Sequence, residues 1–141
     1  MREIGEFACN DAFVGDVILR VAARTFQNQW HVIDLVTNGN AVLVSITADG
    51  ATVGNGRSTM ATVGGMDGNM VAFQSIATDL VTGFGDTNGP NAADVYVRNI
   101  AANRTELISH EVSNLANGGN GASTNPAIDA TGTAIAFESN A

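Results

Sequence analysis

Val71-Ala72-Phe73-Gln74-Ser75 returns as Ile135-Ala136-Phe137-Glu138-Ser139, 64 residues later. Leu43-Val44-Ser45 returns as Leu107-Ile108-Ser109 at the same spacing of 64, and Gly54-Asn55-Gly56 as Gly119-Asn120-Gly121 at 65. The two copies therefore differ by a small indel. Self-similarity at a fixed spacing marks one supersecondary unit used more than once, and such units stack to bury a shared core.

The unit reads as strands. Residues 71–75 are short and apolar, preceded by Asp67-Gly68-Asn69, and Asp-Gly before a β-prone run is a hairpin signal. Asp94-Val95-Tyr96-Val97-Arg98 alternates polar and apolar and carries β-branched and aromatic side chains, as a half-buried strand does. Residues 99–104 follow as a turn, and residues 105–109 as the returning strand. The same order appears earlier: His31-Val32-Ile33-Asp34-Leu35, the turn Thr37-Asn38-Gly39-Asn40, then residues 41–45.

A third, more diverged copy lies near the start. Residues 17–26 match residues 71–80 position by position at a spacing of 54, with Leu19 for Phe73, Ala23 for Ala77 and Phe26 for Leu80. Residues 18–25 hold good helix formers in Arg20, Ala22, Ala23 and Arg24, but the repeat match favours a strand. About nine or ten strands and no helix are expected, in an all-β chain of antiparallel sheets: a sandwich, barrel or propeller.

Composition narrows the function. Hydrophobic residues make up 45% of the 141, enough for one domain with a core. No apolar run reaches the roughly 18 residues of a spanning helix. Six arginines, no lysine and a net charge of −8 argue against nucleic acid, whose phosphates need clustered cations, and against an anionic membrane surface. Cys9 is the single cysteine, so neither an intrachain disulfide nor a cysteine-based zinc site is possible; it reads as a small buried hydrophobe. Residues 1–7 lack the apolar core of a signal peptide and fit no repeat copy, reading as a native or appended extension. Residues 8–141 form the repeats: 8–29 a diverged partial copy, 30–93 a first full copy, 94–141 a second.

With these strands in place, the repeat resembles that of the TolB-like β-propellers of bacterial proteins. That pattern runs D-V-Y/F-V-R-D-L, then L-V-S, P-x-I-S-x-D-G, V-A-F-x-S, A-T-x-L-V and a G-D-T-N-G loop. Here it is matched by residues 94–100, 107–109, 126–132, 135–139, 77–81 and 85–89. The resemblance covers residues 30–141 well and 8–29 loosely. It implies a partial β-propeller, with a small β-sandwich as the alternative. It also implies a periplasmic or secreted setting and a non-enzymatic binding or scaffold role toward a protein or glycan, through loops or a central funnel. A segment accessory to a hydrolase is a second implication. A family propeller has about six blades of four strands, whereas this chain holds material for about two and a half. Open strand edges then favour self-association.

The loop of residues 83–94 is the best candidate site. Asp86, Asn88 and Asp94 give a D-x-N-G start with a later carboxylate, and Ca²⁺ takes about six to eight oxygens, which a tight loop can supply. The alternative is an Asx-turn loop in which Asp86 and Asn88 bond their own backbone. Gly118-Gly119-Asn120-Gly121-Ala122-Ser123 approaches the Ca²⁺-binding repeat of parallel β-helices, but Ser123 stands where Asp is needed, so it reads as an inter-strand loop. No G-x-S-x-G elbow is present, and Ser109 and His110, as strand neighbours, face opposite ways. His31 and His110 read as ordinary strand residues, and no catalytic constellation is found. Trp30 and Tyr96 lie near equivalent positions in successive copies, suited to stacking on a sugar or to packing between sheets. Asn103-Arg104-Thr105 is a glycosylation sequon in a turn.

Overall fold

The computed structural model describes residues 12–14, 17–19, 21–26, 29–37 and 40–141, with side chains from residue 42 onward. Cys9 and residues 1–7 lie outside the described residues, as do the side chains of Trp30 and His31. Among the described residues every regular element is a strand and none is a helix. The strands are β1 (Ala12–Val14), β2 (Val17–Leu19), β3 (Val21–Phe26), β4 (Gln29–Thr37), β5 (Asn40–Leu43), β6 (Ser58–Gly64), β7 (Met70–Ser75), β8 (Asp94–Asn99), β9 (Arg104–Leu107), β10 (Ser123–Ile128) and β11 (Ile135–Ser139). Among the described residues all strand pairings are antiparallel, in four sheets ordered β1-β2, β3-β4-β5, β6-β7-β8-β9 and β10-β11.

The four-stranded meander holds the core. β7 and β8 are its central strands, in register from Met70 opposite Asn99 to Ser75 opposite Asp94. Val71, Phe73, Tyr96 and Leu107 join Val44, Ala77 and Leu80 in one buried cluster, with Phe84 and Ile100 packed against it. The Asp-Gly turn between β6 and β7 forms where the sequence places it. Gly65 and Gly68 take φ of 83° and 65°, and the Gly68 amide donates to the Gly65 carbonyl at 2.9 Å. Only glycine enters this left-handed region without steric cost.

β10 lies against β6 and β7, so the last hairpin stacks on the face of the meander and does not extend its edge. Asn125 ties the two layers: its amide donates to Gln74 Oε1 at 3.0 Å and its side chain to Glu138 Oε2 at 3.1 Å.

The internal repeat holds down to single hydrogen bonds. Ser58 donates to Ser75 Oγ at 2.8 Å, and the Ser123 and Ser139 hydroxyls lie 3.0 Å apart. Ile76 N donates to Arg57 O at 3.0 Å, and Asn140 N to Ala122 O at 3.0 Å. Gly54 N reaches Ser45 O at 2.8 Å, and Gly119 N reaches Ser109 O at 2.9 Å. The β-bulge of β6 puts Met60 at φ 55°, and that of β10 puts Asn125 at φ 53°. The indel is resolved as well. The second copy carries one more residue in the loop that ends at Gly118 and one fewer in the hairpin before β11.

The diverged copy is strand over Val17–Leu19 and Val21–Phe26, and β3 pairs with β4 with Phe26 opposite Gln29. One boundary is corrected. The returning strand of residues 105–109 is Arg104–Leu107. Beyond it the ladder ends, because the amides of Ile108 and Ser109 both donate to Val95 O, at 2.8 and 3.3 Å.

Candidate functional site

The two loops singled out in the sequence meet. The loop between β7 and β8 crosses to the Gly-rich segment before β10, where Gly85 bridges Asn117 in parallel. Gly85 N donates to Ala116 O at 3.0 Å and Gly118 N to Gly85 O at 3.1 Å. The Thr87 hydroxyl reaches Gly118 O at 2.7 Å, and Asn88 Nδ2 reaches Gly121 O at 3.3 Å. The loop of one repeat thus clasps the loop of the next.

Within this clasp, Asp86 Oδ1 accepts the amides of Asn88 and Gly89 at 3.2 and 2.8 Å. That is the Asx-turn geometry, with the carboxylate spent on its own backbone. Asp94 is 2% exposed. Its Oδ1 accepts the Ser109 hydroxyl at 2.9 Å and its Oδ2 accepts Asn88 Nδ2 at 3.3 Å. Gly118 must be glycine here, since a Cβ would stand 2.8 Å from Asp94 Oδ1. Burial pushes the Asp94 carboxyl above its ordinary value, and the bonds from Ser109 and Asn88 only partly offset this. Asn88 Oδ1 is buried without a partner. Asp86, Asn88 and Asp94 are therefore brought together, but two carboxylates are present and both accept hydrogen bonds. Among the described residues no group of three or more acidic, His or Cys side chains gathers as a metal cage.

Tyr96 is 1% exposed and packs in the core. Its ring stacks on Phe73 at a centroid distance of 5.8 Å and meets Phe84 at 6.0 Å, while its hydroxyl donates to Ala77 O at 3.2 Å. Of its two readings, packing between strands is the one this position fits, because no ring face is open to a sugar. Ser109 is buried and His110 exposed, with His110 Nδ1 3.0 Å from Glu111 O.

Sequence reasoning missed Arg98. It is 5% exposed, donating to Thr105 Oγ1 at 3.2 Å and to Asn103 Oδ1, while its Nε has no hydrogen-bond partner. Burial lowers its guanidinium below the usual value. It braces the β8–β9 turn, where Asn103 sits at φ 51°, and lines a cleft of 380 Å³ with Leu80, Arg104 and His110. The strand pattern D-V-Y-V-R carried no sign that this cation turns inward.

The second feature missed is a socket at the end of the second copy. In the first copy Leu80 fills the space beside Gly54, and a Cβ on Gly54 would stand 2.5 Å from Leu80 Cδ2. Asn55 N donates to Asp79 Oδ1 at 3.0 Å, Asn55 Nδ2 to Thr78 Oγ1 at 2.9 Å, and Ala48 N to Asp79 O at 2.8 Å. One repeat later the same positions are His110, Val112, Gly119, Asn120 and Ala141, and they line an open concavity of 490 Å³. Spacing alone equates Gly119 with Gly54, and their amides make matching bonds to Ser109 O and Ser45 O.

No family model matches the chain, and neither a curated protein nor a solved structure shows significant similarity to it.

Proposed function

We propose that this chain is a non-enzymatic scaffold module of the TolB-like β-propeller type, recognising a protein partner through the surfaces its repeats use on one another. The observation behind this reading is the reproduction of the Ser58–Ser75 hydrogen-bond set at Ser123 and Ser139, in a hairpin that stacks face to face on the preceding sheet. Stacked four-strand meanders are how propeller blades bury their cores. The second unit differs from the first in cover. Phe73 is fully buried, whereas its counterpart Phe137 is 36% exposed, and among the described residues β11 pairs with β10 alone. An unpaired, partly apolar strand edge is a template for another polypeptide.

Self-association through that edge is part of the reading. Native mass by size exclusion with light scattering, measured over a wide concentration range, tests it. A discrete oligomer, or mass that rises with concentration, is expected. A monomer throughout, with a native mixture offering no saturable protein ligand, would contradict the scaffold role.

A further inference from the structure

Arg98 is a buried cation whose surroundings leave it unanswered. Side chains alternate along β8, so Arg98 shares the face of Asp94 and Tyr96. Across the ladder it stands opposite Thr105. Two neutral groups hold its guanidinium, the Thr105 hydroxyl at 3.2 Å and Asn103 Oδ1, and its Nε is buried without a partner. Among the described residues no carboxylate forms an ion pair with it. A guanidinium taken out of water without a counter-charge is costly, and an anion beside it offsets that cost. The cleft of 380 Å³ that Arg98 lines also holds Arg104 and His110, both exposed. Glu106 is the one carboxylate among its described lining residues, and it lies 3.3 Å from Arg104 Nε. Two of the six arginines in a chain of net charge −8 therefore gather at one cleft. Leu80 and Leu107, both buried, and the exposed Leu115 add apolar lining.

We infer that this cleft binds the carboxylate of an organic acid, with Arg98 as the receiving cation, Arg104 beside it, and Leu80, Leu107 and Leu115 against the acid's apolar body. A guanidinium presents its N–H groups in a planar fork that matches a carboxylate. Held by Thr105 and Asn103, this one is oriented before a ligand arrives, which lowers the entropy cost of binding. The volume lies at the lower end of the roughly 300–1,000 Å³ of small-ligand pockets. The apolar lining selects an acid with a hydrocarbon body over inorganic phosphate. The inference goes beyond the scaffold reading and does not depend on it, since the cleft's described lining includes no residue of β10 or β11.

The probe is sodium benzoate, titrated into the isotope-labelled full chain and followed by NMR. Saturable shifts are expected at the amides of Arg98, Thr105, Leu107 and His110. Benzamide keeps the shape without the charge, and inorganic phosphate keeps charge without the apolar body; each is expected to bind at least about tenfold more weakly. Acetyl-Ala-Ala-Leu, whose free carboxylate stands for a peptide C-terminus, is titrated alongside, and the tighter of the two acids assigns the source of the carboxylate. Arg98→Met keeps an unbranched stem, removes the charge and is expected to abolish binding. Arg104→Gln is expected to weaken it severalfold, and Arg57→Gln, at an exposed arginine outside the cleft lining, to leave it unchanged. Circular dichroism checks each fold; if Arg98→Met does not fold, Arg104→Gln and the benzamide comparison decide. No saturable shift with either acid at high millimolar concentration overturns the inference, as do equal binding of benzamide and a folded Arg98→Met that binds as the parent does. Arg98 is then a brace for the β8–β9 turn alone. Phosphate binding more tightly than benzoate overturns the carboxylate assignment. None of these results bears on native mass, so the scaffold reading stands or falls separately.

Discussion

The hydroxyls of Ser58 and Ser75 meet at 2.8 Å, fully buried between β6 and β7, and Ser75 Oγ also accepts the amide of Ala77 at 3.0 Å. The equivalent Ser139 takes the amide of Ala141 at 3.1 Å but is solvent-exposed. Ser75→Ala strands a buried amide and a buried hydroxyl, at a cost of about 1–3 kcal/mol. At Ser139 water can replace the lost partner of the exposed Ala141 amide, but the hydroxyl of Ser123, 1% exposed, loses its own, so Ser139→Ala is expected to cost about 1 kcal/mol, less than Ser75→Ala. Urea denaturation of the two variants checks this; equal losses would contradict the difference in cover between the units.

Met60 occupies the left-handed region at φ 55°, where its counterpart Asn125 sits at φ 53°. Asn tolerates this region and an unbranched apolar residue does not, by roughly 1 kcal/mol. Met60 is 56% exposed and outside the core cluster. Met60→Asn is therefore expected to stabilise the protein by about 0.5–1 kcal/mol in the same assay. A loss of stability would show that the Met60 side chain does packing work.

Asp94 and Asp129 set opposite pH slopes. Burial, the leading cause, raises the Asp94 carboxyl above 3.8, so the folded protein keeps a proton that the unfolded chain has released. Its contribution makes stability fall as pH rises from 3.8 through the folded value, and level off above it. Asp129 is held down to about 2 by the Thr131 hydroxyl and by the amides of Ala134 and Thr133. Its contribution is present above 3.8 and lost as pH falls toward 2. Asp94→Asn keeps an acceptor for Ser109 and is expected to abolish the first slope while leaving the second. Carboxyl carbon titration by NMR reads both groups directly. An Asp94 midpoint below 3.8 would contradict the assignment.

Asp86 serves the loop as a backbone acceptor, so its worth is expected to be independent of calcium. Asp86→Ala should lower stability by about 1 kcal/mol equally in chelator and in millimolar CaCl₂. A rise in melting temperature on adding calcium, absent in Asp86→Ala, would make the loop a calcium site instead.

Much of this architecture was written in the chain. Residues 71–75 are a short apolar run and 94–98 alternate, and both form strands, joined in register; β8 is buried on both faces and not half-buried as its alternation implies. Asp67-Gly68 makes the hairpin that this dipeptide signals. β6 was less legible, because the bulge at Met60 breaks its alternation, and Pro126 does the same to β10 at its own bulge. The clasp between Thr87 and Gly118 joins residues 31 apart, a contact that no local pattern encodes. The inward turn of Arg98 depends on what neighbouring strands cover, which spacing does not express.

Residue-resolved amide hydrogen exchange, at a concentration where the chain is monomeric, tests most directly the claim that β11 is a β7-type strand which, among the described residues, pairs with β10 alone. Throughout β7, amides facing β6 and β8 are both expected to be protected. Along β11, protection is expected only at the amides facing β10, with the alternate amides exchanging freely. Uniform protection of β11 equal to that of β7 would contradict the account, as would exchange along the whole of β10 and β11.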